Sequence, residues 1–91
     1  MSLRPVVDEV FVETLRTLPI DLQEAVLDYL DRVADDPGGM TLRGLYLPGG
    51  GIVTQPLIVA LDDRTYSVVI AFTYGEDEES LHIWRLLVRE L

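Results

Sequence analysis

The chain has 91 residues, of which 16 are acidic and 7 are basic, so its formal net charge is −9. This length predicts a single domain over residues 1–91, and so acidic a chain disfavours nucleic-acid binding, which needs a basic surface. The chain has no cysteine, which excludes disulfides, thiolate metal ligands and a cysteine nucleophile. Its single histidine, His82, excludes a site with two histidine ligands in one chain, and we expect neither a cofactor nor a metal.

The hydropathy pattern also bears on location. No apolar run approaches the roughly 18 residues of a membrane-spanning helix. The N-terminal stretch MSLRPVVDEV lacks the features of a secretory signal. We therefore expect a cytoplasmic protein that does not bind membranes.

The first forty residues predict a short edge strand over residues 3–7 followed by two helices. Helical spacing of apolar residues begins at Val7 and predicts a first helix that ends near Thr17. The stretch LPIDLQEAVLDYLDRVADDPGG predicts a longer second helix that begins near Pro19 and ends at the Pro-Gly-Gly of residues 37–39. Its apolar stripe comprises Leu22, Val26, Tyr29, Leu30 and Val33. The short connection between the helices favours an antiparallel helical hairpin.

After Gly39 the composition favours strands. MTLRGLYL (40–47) predicts a strand or an extended lead-in, PGGG (48–51) a turn, and IVTQPLIVALDD (52–63) one strand that is bulged or lies at an edge because of Pro56. TYSVVIAFTY (65–74) is apolar on both faces, which predicts a central strand. GEDEES (75–80) predicts the next turn.

The last segment, LHIWRLLV (81–88), admits two interpretations. Acidic residues before it and arginines late in it would suit a helix dipole. Its apolar positions form no helical stripe, however, and a strand that returns through a charged hairpin loop fits the preceding strands better. We therefore predict a strand. The whole pattern predicts an α+β fold, with an N-terminal helical hairpin packed on a curved antiparallel sheet of three to four strands.

This order of elements resembles the RelE/ParE superfamily, the toxin components of bacterial type II toxin–antitoxin modules. The similar segments are LRTLPIDLQEAVLDYLDRVADDP, the LRG at residues 42–44, YSVVIAF and LHIWRLLVREL. In the ribonuclease branch the resemblance implies several Lys and Arg with a Tyr or His. These groups deprotonate a 2′-hydroxyl, stabilise a pentavalent phosphate and protonate the leaving oxygen. Four residues match such positions weakly as catalytic candidates: Arg43, His82, Arg85 and Arg89.

The chain departs from that branch in its basic residues. Ser67 stands where the similar strand carries Arg, and the chain has no Lys at all. We therefore predict a divergent toxin-family protein that acts through protein–protein binding, without ribosome-dependent mRNA cleavage. The alternatives are a small homo-oligomeric interaction module unrelated to toxins and an active mRNA endoribonuclease.

The resemblance also implies a partner. Antitoxins of the family wrap the helices and the sheet of the toxin, so it implies contact through Leu22, Val26, Tyr29, Leu30 and Val33. The alternative role of these five residues is simply the core. An open sheet edge, or an exposed face of YLPGGGIVTQPLIV, could instead pair with a second copy and form a homodimer.

Overall fold

The predicted α+β class is confirmed. The computed structural model describes residues 2–47 and 51–91, with the side chains of these residues other than 42–47. The predicted turn at residues 48–51 therefore lies almost wholly outside the described residues. The elements in chain order are β1 (Arg4–Val7), α1 (Glu9–Arg16), α2 (Ile20–Asp35), α3 (Pro37–Met40), β2 (Thr41–Leu47), β3 (Gly51–Thr54), β4 (Leu57–Leu61), β5 (Arg64–Tyr74) and β6 (Ser80–Glu90).

The two main helices form where local chemistry favours their ends. Asp8 caps α1, because its Oδ1 atom accepts a hydrogen bond of 2.9 Å from the amide of Val10. Pro19 precedes α2, and the backbone turns between the helices within residues 17–19. The predicted helical hairpin is therefore present, and both helices lie on one side of the sheet.

Helix α2 has one apolar face and one acidic face. The apolar stripe is buried against the sheet, and its members are between 0% and 6% exposed. Along the exposed face run five carboxylates at alternating spacings of three and four residues, which places them on one stripe: Asp21, Glu24, Asp28, Asp31 and Asp35. This side of the molecule therefore carries much of the negative charge.

The sheet is larger than expected and it is mixed. In the described residues six strands form one sheet in the order β1-β6-β5-β3-β2, and β4 also pairs with β5. Strand β1 runs parallel to β6, with Arg4 opposite Ser80 and Val7 opposite Ile83. The expectation of a purely antiparallel sheet of three to four strands is corrected here, since a parallel pairing between the two ends of the chain has no local sequence signal.

The predicted strand over residues 52–63 is in fact two strands, β3 and β4, which share one edge of β5. The ladder pairs Val53 with Ala71 and resumes where Leu57 pairs with Val68. Between these points the amide of Ile70 donates a hydrogen bond of 2.9 Å to the Thr54 hydroxyl oxygen, and Thr54 is fully buried. A side-chain oxygen thus satisfies a buried backbone donor where no strand carbonyl reaches it.

The predicted turn at residues 75–80 joins β5 to β6, and the last segment is a strand as predicted. Asp77 organises this turn, because its Oδ1 atom accepts hydrogen bonds from the Glu79 amide, the Ser80 amide and the Ser80 hydroxyl at 2.9–3.1 Å. These donors lower the pKa of the Asp77 carboxyl, first through the Glu79 amide and then through the Ser80 hydroxyl. Glu78 has a φ of 60°, so the turn also needs a left-handed residue.

Replacing Thr54 tests the gap in the β5 ladder. Thr54→Val keeps the shape but leaves the buried Ile70 amide without its acceptor, so we expect the free energy of unfolding to fall by about 1–3 kcal/mol. Thr54→Ser keeps the hydroxyl and should restore part of that loss. Urea unfolding of the three proteins provides the measurement. A Val variant as stable as the Thr protein would contradict this role of the hydroxyl.

Replacing Asp77 tests the turn through its pH dependence. Because folding lowers this carboxyl's pKa, its contribution to stability is present above the unfolded pKa of about 3.9 and is lost as the pH falls through the folded pKa. Asp77→Asn should therefore lower the thermal midpoint at neutral pH, and the difference from the parent should shrink at acidic pH. Glu76→Gln is the control, since it removes a charge from the same turn without touching these hydrogen bonds. Equal losses in both variants would contradict the prediction.

Candidate functional site

The candidate site is the outer face of the sheet, which we define as the face turned away from the helices. On β6, Leu81, Ile83 and Leu86 are buried in the core beneath the helices. Side chains alternate along a strand, so the residues between them lie on the outer face. One extra residue in β6 shifts the register between Ala71 and Phe72 of β5. The outer face of β6 carries His82, Trp84, Arg85, Leu87 and Arg89.

His82 is held by an aromatic neighbour. Its ring stacks on the Trp84 indole, with centroids 3.8 Å apart and an interplanar angle of 19°. The indole N–H donates a hydrogen bond of 2.8 Å to the Thr73 hydroxyl on β5, which fixes the orientation of the tryptophan. The single histidine therefore lies in an aromatic pair on β6, which the hydrogen bond to Thr73 ties to β5.

Arg85 is drawn toward the start of α1. Its Nη1 atom lies 3.8 Å from Oδ1 of Asp8, the residue that caps α1. The same atom donates a hydrogen bond of 2.8 Å to the carbonyl oxygen of Trp84. The Arg85 side chain is 49% exposed and that of Asp8 27% exposed, so solvent partly screens the pair. Arg85 therefore serves the junction between helix and sheet.

The candidate basic residues are spread along β6 and β2. Arg89 lies opposite Ser67 on β5, four residues beyond Arg85. At about 3.3 Å per strand residue, their Cα atoms lie about 13 Å apart. His82 lies three residues away on the other side of Arg85. Arg43 belongs to β2, and its side chain lies outside the described residues.

Apolar side chains dominate the same face, and the sequence analysis did not single them out as a surface. Trp84 is 36% exposed, Leu87 47% and Ile58 57%. Their signal in the sequence is the run of apolar residues at successive positions in LHIWRLLV and PLIVAL, which makes both faces of a strand apolar. Such exposed apolar side chains on one face are suited to contact with another protein.

The five residues predicted to contact a partner lie in the core. Leu22, Val26 and Val33 are fully buried, while Tyr29 and Leu30 are 4% and 6% exposed. The Tyr29 hydroxyl also donates to the carbonyl oxygen of Gln55, which ties α2 to the connection between β3 and β4. A partner on α2 would therefore meet the opposite face of the helix, and contact with a partner stays a prediction.

A shallow hollow of about 220 Å³ lies between the start of α2 and the hairpin that joins β4 to β5. Its lining includes Pro19, Asp21 and the hairpin of residues 61–64. Arg64 in this hairpin pairs with Glu90 at 3.5 Å.

Within residues 2–47 and 51–91, no group of three or more His, Asp or Glu could hold a metal ion. Over the same residues, no helix is long and apolar enough to cross a membrane.

Comparison with known proteins places the fold. No protein-family model and no curated protein matches the chain. The free E. coli toxin RelE, in a mutant with two arginines replaced by alanine, is 18% identical with a TM-score of 0.58, covering 94% of this chain and 82% of that one. A chain of the E. coli RelBE toxin–antitoxin complex is 16% identical with a TM-score of 0.57, covering 93% of this chain and 94% of that one. The RelE-like fold expected from the sequence is therefore confirmed.

The pair of Asp8 and Arg85 can be tested with a double-mutant cycle. Asp8→Asn keeps a good helix cap but removes the charge, and Arg85→Gln removes the cation. We expect a coupling energy of about 0.2–1 kcal/mol, as for other partly exposed ion pairs, which falls as salt is added. Urea unfolding of the four proteins measures it. Arg89→Gln combined with Asp8→Asn is the control and should be additive. Zero coupling at low salt would leave Arg85 free for another role.

Proposed function

We propose that this chain is a divergent toxin-family protein that acts by binding another protein and does not cleave mRNA on the ribosome. The observation that carries the proposal is the arrangement of cations on the outer face. Arg85 turns toward Asp8, and Arg89 lies about 13 Å farther along the strand. Stabilisation of a pentavalent phosphate needs cations directed at one point.

The overall charge supports the same proposal. RNA binding depends on basic groups that displace counterions from phosphates, and this chain carries a net charge of −9 without any lysine. Of its seven arginines, Arg4, Arg64 and Arg85 each lie within 4 Å of a carboxylate. The basic surface left for a ribosomal RNA is therefore small.

The partner surface that fits this proposal is the outer face of β6. Trp84 and Leu87 offer exposed apolar area, and Arg89 adds one positive charge beside them. Aromatic and arginine side chains contribute most at protein interfaces. One of the two similar structures is a toxin–antitoxin complex, so the chemistry we propose for the partner is that of an antitoxin or a target protein.

Two assays test the proposal. With purified ribosomes and a defined mRNA, the chain should produce no cleavage above the buffer control, and Arg89→Ala should behave as the parent does. Co-expression with the product of the neighbouring reading frame should yield a complex. In that complex Trp84→Ala should weaken binding at least tenfold, because it removes a large apolar contact, while Ile20→Ala on α2 should not.

Each contrary result selects another function. Cleavage that disappears in Arg89→Ala would show a working ribonuclease. Absence of a complex, together with absence of toxicity on expression, would favour an interaction module unrelated to toxins.

A further inference from the structure

Strand β4 presents an open edge. Along one edge β4 pairs with β5, from Leu57 opposite Val68 to Leu61 opposite Arg64. In the described residues no other strand pairs with it. Unpaired strand edges tend to bind other strands, and proteins usually protect them with charge, proline or a bulge. The five residues of β4, Leu-Ile-Val-Ala-Leu, contain none of these within the strand.

The backbone groups that face this edge can be identified. The carbonyl oxygen of Thr65 accepts a hydrogen bond of 2.8 Å from the amide of Leu91. The backbone N–H and C=O groups of Thr65 therefore point toward β6 and away from β4. The β4 residue opposite Thr65 is Ala60. In an antiparallel ladder alternate residues bond to the same side. The N–H and C=O groups of Ala60 and Ile58 therefore point away from β5, toward the open edge.

We propose that the occupant of this edge is a second copy of the chain, whose β4 pairs antiparallel with the first about a two-fold axis at Val59. This pairing gives four hydrogen bonds, because Ile58 of each copy lies opposite Ala60 of the other and both use their outward groups. It also continues the sheet from one protomer into the next. The inference does not rest on the proposed function, since the β6 surface stays free on the outer face.

The sequence of β4 fits itself in this register. Reversed, Leu-Ile-Val-Ala-Leu becomes Leu-Ala-Val-Ile-Leu, so each strand presents nearly the same pattern to its copy. The two-fold axis places the large side chain of Ile58 beside the small one of Ala60 on the outer face. Ile58 is 57% exposed in the single chain, so pairing would remove apolar surface from water.

Charge selects the antiparallel direction. Asp62 and Asp63 follow β4 directly. In the antiparallel register Asp62 lies opposite Pro56 of the other copy, and the two Asp62 residues are six strand positions apart, about 20 Å. This exceeds the Debye length of about 8 Å in physiological salt. A parallel pair would set the same carboxylates side by side.

Two copies that each carry −9 still repel at long range. Added salt screens that repulsion without weakening hydrogen bonds or apolar contact. The dimer should therefore strengthen as salt rises, whereas an interface held by ion pairs would weaken. A contact of one short strand is small, so the dimer should form reversibly with concentration.

The absence of cysteine allows a direct test of the register. Val59→Cys would set two thiols opposite each other at a non-hydrogen-bonded pair, where Cα atoms lie about 4.5 Å apart, within the range for a disulfide. Leu27→Cys is the control. Leu27 lies on α2 and is 46% exposed, so it is open to collision, while Val59 is partly packed on the core. Under mild oxidation the Val59→Cys chain should form a covalent dimer several times faster than the Leu27→Cys chain.

Sedimentation velocity of the full chain tests the dimer without a new bond. The parent should shift from 10.2 kDa toward twice that mass between low micromolar and submillimolar concentration. Ile58→Lys places a charge at the edge and should remain a monomer, while Leu27→Lys should dimerise as the parent does. Circular dichroism of each variant confirms the fold.

Three outcomes would overturn the proposal. These are a parent that stays monomeric throughout, a dimer that Ile58→Lys leaves intact, and faster crosslinking at Leu27→Cys than at Val59→Cys. Binding of a strand from a different protein to this edge, with the chain itself monomeric, belongs to the first outcome.

Discussion

Strand β5 is the element on which the rest of the fold depends. One edge of its eleven residues pairs with β6 over almost the whole length, while β3 and β4 divide the other edge. Val68, Ile70 and Phe72 point into the core under α2 and are fully buried. The ladder is interrupted where β3 gives way to β4, and there the buried Thr54 hydroxyl accepts a hydrogen bond from the Ile70 amide.

Asp8 connects the start of the chain to the end of it. Its amide donates a hydrogen bond of 2.8 Å to the carbonyl oxygen of Ile83. Its carboxylate caps α1 and also forms the ion pair with Arg85. Together with the parallel pairing of β1 on β6, these contacts hold the N-terminal strand, the first helix and the last strand as one unit. Because Arg85 belongs to this unit, a late arginine in the sequence is not by itself a sign of catalysis.

Sequence patterns predicted those features that local periodicity encodes. The stripe of α2 from Leu22 to Val33 and the two apolar faces of β5 were recognisable because burial repeats at helical or strand spacing. Two features carry no such signal: the pairing of Arg4 with Ser80 and the ion pair of Asp8 with Arg85. Each joins residues through contacts that depend on the assembled fold. Periodicity also cannot tell a side chain buried in its own core from one covered by a partner, so the partner role assigned to the α2 stripe fell on core residues.

A shared fold at 18% identity is evidence about cores more than about chemistry. The core requires apolar side chains at given spacings, which many sequences satisfy, so the helices and the sheet can persist while surface residues change. On the outer face of the sheet, Trp84, Leu87 and Ile58 expose apolar area beside Arg85 and Arg89. A shared fold therefore leaves the chemistry of this surface to the residues that the chain itself places there.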